Sequence, residues 1–117
     1  MTPDPPRAGP GMTDPHQLGF RALADPTRRR ILRLLGERDM TIAEVADNFD
    51  MTRAAVKKHL AILNEGNLTS VETVGRSRIN AINPNGLRNV MDWFNYFDGF
   101  WDDRLSTLKS EIERDMK

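Results

Sequence analysis

Apolar side chains recur in runs at spacings of three and four from Leu18 to Leu63. They loosen into partial alternation between Leu68 and Ile82, then resume spacings of three and four from Leu87 to Ile112. The first spacing lays an apolar stripe along a helix, and alternation gives a strand one apolar face. The chain therefore reads as mainly α with a small β-hairpin between helical stretches. Residues 1–13, with Pro3, Pro5, Pro6, Gly9, Pro10 and Gly11, offer little that can pack and are expected to be a disordered tail. A proline-rich docking peptide is the other reading of that stretch. Residues 14–117 are expected to form one domain.

Cap residues divide the helical stretches. Asp14 precedes Pro15 and Asp25 precedes Pro26, each a cap followed by proline at the first helical position. The second helix carries Ile31, Leu32, Leu34 and Leu35, and Gly36 is expected to stop it. Thr41 and Glu44 have capping-box spacing ahead of Ile42, Val45, Ala46 and Phe49. Thr52 opens a fourth helix through Val56, Leu60 and Leu63, ending near Gly66. Leu68 to Val74 and Arg78 to Ile82 are the expected strands, with Gly75 between them and the register left open. Asn83 and Pro84 open a last helix, read as one long amphipathic element that Gly99 is placed to interrupt.

The third and fourth helices, joined by Asn48 to Met51, have the short connection of a helix-turn-helix. Ala46 and Ala55 are small where the helices cross, Val56 packs under the turn, and Asp50 is expected to take a left-handed backbone in place of glycine. At 100° per residue, Val56, Leu60, Leu63 and the Thr52 cap share one face. Arg53, Ala54, Lys57, Lys58 and Ala61 share the other. Cations separated by alanines suit a DNA groove: Arg53 can read guanine, and Ala54 or Ala61 can touch a thymine methyl. Lys57 and Lys58 can reach bases or phosphates. In isolation such a face is also what solvated surface looks like; the helix-turn-helix context favours DNA. Arg76 and Arg78 give the hairpin a basic tip suited to phosphates or the minor groove. Arg28, Arg29, Arg30 and Arg33 form another cluster, able to pair with acids or touch phosphates.

Composition changes this picture in two ways. The net charge is zero, yet Thr52 to Ile82 holds five cations against two acids, a net of +3. From Asn83 onward five cations meet seven acids, a net of −2. The zero total thus hides a polarised layout. The absence of cysteine excludes disulfides and thiolate metal sites. No apolar run approaches the roughly 20 residues of a membrane span, and no signal peptide is visible, so a cytoplasmic location is expected. No nucleophile–base spacing and no glycine-rich phosphate loop suggests an enzyme.

The motifs Ala24-Asp25-Pro26-Thr27-Arg28-Arg29, Val56-Lys57-Lys58-His59-Leu60, Glu65-Gly66-Asn67-Leu68, Val74-Gly75-Arg76 and Ile82-Asn83-Pro84, in that order, resemble the ArsR/SmtB family of bacterial winged-helix repressors. The resemblance covers about residues 14–115. It implies a winged helix-turn-helix fold, a homodimer built by the first and last helices, and repression of a promoter, often the protein's own. The expected DNA-binding set is Thr52, Arg53, Ala54, Lys57, Lys58, His59, Arg76 and Arg78. The expected dimer interface is Leu18, Ala22, Trp93, Phe94, Phe97, Phe100, Trp101 and Leu105. The family's metal sensors use a thiolate site near the third helix and His with carboxylates on the last. This chain departs from both, having only His16 and His59. No metal and no cofactor are expected, and any small-molecule effector is left open. The last helix carries more large aromatics than a lone surface helix explains. Burial at a twofold interface explains them better than a core helix or a ligand pocket. The alternative function is a winged-helix protein-interaction module without DNA binding.

Overall fold

The computed structural model describes residues 15–115, so Asp14 and the expected tail lie outside the described residues. The element order is α1 (Pro15–Leu23), α2 (Pro26–Glu37), α3 (Ile42–Ala46), α4 (Arg53–Glu65), β1 (Thr69–Val74), β2 (Ser77–Ile82), α5 (Pro84–Asn95) and α6 (Asp98–Asp115). The caps form as the sequence dictates. Asp25 accepts from the Arg28 amide, Asn83 accepts from Asn85, and Thr41 and Glu44 complete a reciprocal capping box.

Ile31, Leu35, Val45, Val56, Leu63 and Leu68 build the centre of the core, with α4 running through it. The hairpin is tied in at Asn80, which is buried. Its backbone exchanges two hydrogen bonds with Met40, at 2.7 and 3.0 Å, and its side-chain amide donates to the same carbonyl. This bridge explains why α2 ends where it does. Gly36 does not stop the helix; Glu37 is still helical and Arg38 caps it, before the chain is drawn onto Asn80.

Three further expectations are corrected. Among the described residues the one non-glycine with positive φ is Asn67, at 63°, and not Asp50. The left-handed position lies after α4 because Gly66 is needed for another purpose: a Cβ there would sit 2.8 Å from the Leu18 carbonyl oxygen. Asn67 takes the strained geometry and its side chain accepts from Asn83. Ala22 belongs to the protomer core, fully buried beside Gly66, so it cannot line an interface between copies. The last helix is two helices, broken at Tyr96 and Phe97 and not at Gly99. The Phe97 amide bonds back three residues to Phe94, tightening and ending α5, while Gly99 sits in α6 with open space around it.

Two of the helical glycines, Gly86 and Gly99, should respond oppositely to alanine. A Cβ at Gly86 would lie 1.5 Å from the Asn67 carbonyl oxygen, whereas nothing lies within 4 Å at Gly99. Gly86→Ala is expected to destabilise by about 1–3 kcal/mol or more, and Gly99→Ala to stabilise by up to about 1 kcal/mol. Urea denaturation midpoints would show it; a neutral Gly86→Ala would disprove the close approach.

Candidate nucleic-acid interface

Helix α4 begins where Thr52, in extended geometry (φ −71°, ψ 156°), accepts a hydrogen bond from the Ala55 amide at 3.1 Å. Because Val56, Leu60 and Leu63 are held in the core, the helical rotation leaves Arg53, Ala54, Lys57, Lys58 and Ala61 exposed together. Thr52 is exposed at the head of this face. The connection from α3 runs from Asp47 to Thr52 and is anchored by Phe49 and Met51 against the core.

The hairpin is antiparallel, in register from Thr69↔Ile82 to Val74↔Ser77, which leaves Gly75 and Arg76 as a two-residue loop. Gly75 has φ 62°, the requirement of the first position of a type II′ turn. That turn sets Arg76 at the tip, while Arg78 lies one pair below it, opposite Thr73. A groove of about 220 Å³ separates α4 from the hairpin, lined in part by Lys57, Ala61, Asn64, Val71, Arg78 and Asn80. Lys57 of the helix and Arg78 of the wing therefore share one surface.

His59 does not join that surface. Its side chain is only 22% exposed, and its Nδ1 lies 3.5 Å from Arg28 Nη1 and 3.9 Å from Asp25 Oδ2. It docks α4 onto the start of α2, which corrects its place in the DNA-binding set. The arginine cluster also divides. Arg28 donates to the carbonyls of Ala22 and Arg21, and Arg29 to that of Leu23, so both hold the end of α1. Arg30 stacks over Phe49, 4.7 Å from the ring centroid. Sequence reasoning missed Arg28 and Asn64 as positioning residues. The Arg28 amide was legible as the Asp25 cap partner, but its guanidinium contacts are tertiary. Asn64, which donates to the Thr69 carbonyl at 3.0 Å, carried no local signal.

The residues expected at a dimer interface lie on α1, on α5 and α6, and, for Phe97, in the turn between those two helices. Trp93, Phe94, Phe100, Trp101 and Leu105 are exposed, whereas Leu18 and Phe97 are half-buried. Phe20 of α1 meets Trp93 and Phe94 of α5 edge-on, at 5.3 and 6.0 Å. Among the described residues no three His, Cys, Asp or Glu side chains converge on a common point. With no cysteine in the chain and no such cluster among the described residues, the donors present fit neither a thiolate nor a His–carboxylate metal site. No helix among the described residues is long and apolar enough to cross a membrane.

A cationic helix face, held by a helix-turn-helix and flanked by a basic hairpin, defines a winged helix-turn-helix protein. Residues 23–72 match a helix-turn-helix domain family. The transcriptional repressor SdpR of Bacillus subtilis is 34% identical over 74 residues, covering 63% of this chain and 82% of that protein. The HTH-type transcriptional regulator Rv2034 of Mycobacterium tuberculosis is 31% identical over 94 residues, covering 80% and 85%. The crystal structure of an ArsR family transcriptional regulator, RHA00566, superposes with a TM-score of 0.69 at 31% identity, covering 76% and 98%. The chain belongs to the ArsR/SmtB family of helix-turn-helix transcriptional regulators.

Two outcomes follow from this geometry. His59→Ala is expected to leave DNA affinity within about twofold while costing about 0.5–1.5 kcal/mol of stability. Lys57→Ala should do the reverse, so titrations of both variants on one duplex test the division; a large affinity loss for His59→Ala would restore it to the interface. The hydrogen bond from the Arg28 amide holds the Asp25 carboxyl below its ordinary 3.8, and the Arg38 side chain, then the Thr41 amide, hold Glu44 below 4.5. Depressed carboxyls contribute stability above their unfolded values and lose it as pH falls through the lower folded values. The melting temperature of Asp25→Asn/Glu44→Gln should therefore fall less between pH 5 and pH 3 than that of the natural protein. An equal fall would refute the coupling.

Proposed function

We propose that the protein is a cytoplasmic homodimeric repressor that binds an inverted-repeat operator, including one upstream of its own gene. The observation that carries this reading is the exposed row of Arg53, Lys57 and Lys58, continuous through the groove with Arg78 of the wing. Arg53, in the first turn, reads a base edge, with Ala54 and Ala61 admitting the helix into the major groove. Lys57 and Lys58 contact bases or phosphates, and Thr52 approaches the backbone beside them. Arg76 and Arg78 hold phosphates or enter the minor groove. The repressor role is supported by the likeness to the transcriptional repressor SdpR. The homodimer is supported by the aromatic side chains that α5 and α6 leave outside the protomer core, joined to α1 through Phe20. Leu18, Trp93, Phe94, Phe97, Phe100, Trp101 and Leu105 form that interface.

Titration against the DNA upstream of the gene, with and without chelator, tests DNA binding and metal independence together. Arg53→Ala is expected to weaken operator binding by about 1–3 kcal/mol and relax preference at one base position. Arg76→Ala should weaken binding on all sequences alike and lower the salt slope by about one. Equal loss on all sequences for Arg53→Ala would remove its base-reading role, and a salt-independent affinity would sink the whole reading.

A further inference from the structure

We propose that the groove between α4 and the hairpin also takes a small-molecule effector: a single-ring aromatic carboxylate with a hydroxyl opposite the carboxylate, which competes with DNA for Lys57 and Arg78. This rests on the DNA-binding reading of those two cations and names a regulator of the same surface.

The groove holds about 220 Å³ and is lined by apolar Ile42, Leu60, Ala61 and Val71 together with polar Lys57, Asn64, Arg78 and Asn80. An apolar cavity of about 150 Å³ is enough for benzene, so this volume suits one ring with two small substituents. A few placed polar groups around an apolar lining are what a small-ligand site consists of.

Those polar groups differ from end to end. Asn64 is tied to the Thr69 carbonyl at the base of the hairpin, while Lys57 lies seven residues earlier on α4, a rise of about 10 Å. Arg78 pairs with Thr73, four pairs from the base pair Thr69↔Ile82 and toward the wing tip. The two cations therefore lie at one end of the groove and the Asn64 amide at the other. No acid is among the lining residues, so the cationic end suits an anion. The two carboxamides are held by their nitrogens: Asn64 Nδ2 donates to the Thr69 carbonyl and Asn80 Nδ2 to that of Met40, at 3.0 and 3.2 Å. Each Oδ1 is left to accept, so this part of the groove suits a donor.

A DNA phosphodiester answers only part of this lining. It satisfies Lys57 and Arg78, but it brings no hydrogen-bond donor for the carboxamides and no apolar surface for Leu60, Ala61 and Val71. A hydroxylated benzoate supplies all three: the carboxylate meets the cations, the ring covers the apolar residues, and the hydroxyl donates to a carboxamide oxygen. Its carboxylate then occupies the cations that a phosphate would need.

Calorimetric titration of the DNA-free protein with para-hydroxybenzoate should show saturable binding of one molecule per protomer; no binding overturns the proposal. The neutral para-hydroxybenzamide should bind about tenfold or more weakly, and equal binding overturns the role of the cations. At ten times its Kd, para-hydroxybenzoate should weaken binding to duplex DNA about tenfold or more, because the two exclude each other. Unchanged DNA affinity overturns the competition. Val71→Phe, at an exposed strand position that accepts an aromatic, fills the groove. It should abolish binding of para-hydroxybenzoate while leaving DNA affinity within about twofold; retained ligand binding overturns the site. Titration with DNA alone separates the two readings: a protein that takes the carboxylate but no duplex overturns the DNA reading instead.

Discussion

The close approach of backbones at Gly66 and Asn67 is the constraint on which the arrangement depends. Gly66 brings the end of α4 against the Leu18 carbonyl of α1, at a distance no Cβ would tolerate. Gly86 brings the first turn of α5 against the Asn67 carbonyl in the same way. Asn67 absorbs the left-handed turn between them and is held by the Asn83 side chain. Helix α4 is thus fixed to α1 and α5 through backbone contacts with no side chain between. Arg28 adds a second tie, holding the last carbonyls of α1 while meeting His59 on α4. Such a frame matters for a dimer on DNA, because the spacing of two reading helices must match the helical repeat of the duplex.

Much of this was legible in the sequence, for a physical reason. Caps and turns are local chemistry, so Asp25, Thr41, Glu44, Thr52, Asn83 and Gly75 announced their elements within four residues of where they act. The two faces of α4 followed from rotation alone. What was not legible was set by tertiary contact. Gly36 had the right type for a helix stop, but the chain turns when Met40 reaches Asn80, forty residues away. Asp50 tolerates a left-handed backbone, yet Asn67 is where packing against α1 and α5 demands one. Ala22 lies on the apolar side of α1, and pattern alone does not separate the side facing the protomer core from the side facing a partner. His59 directly follows two exposed lysines, and only the placement of α2 shows that its ring is half-buried against Arg28 and Asp25.

The net charge of zero now has a structural explanation. A DNA-binding surface needs cations, and Thr52 to Ile82 carries a net of +3. The flanks of α6 carry both signs, Asp102 and Glu111 beside Arg104 and Lys109. The remaining acids of α6 bury nothing against the body, so they remain hydrated and screened over a Debye length of about 8 Å at physiological salt. Surfaces with opposite requirements were summed into one uninformative total. The field beside α4 and the wing is set by their own charges, and the distant acids of α6 weaken it little.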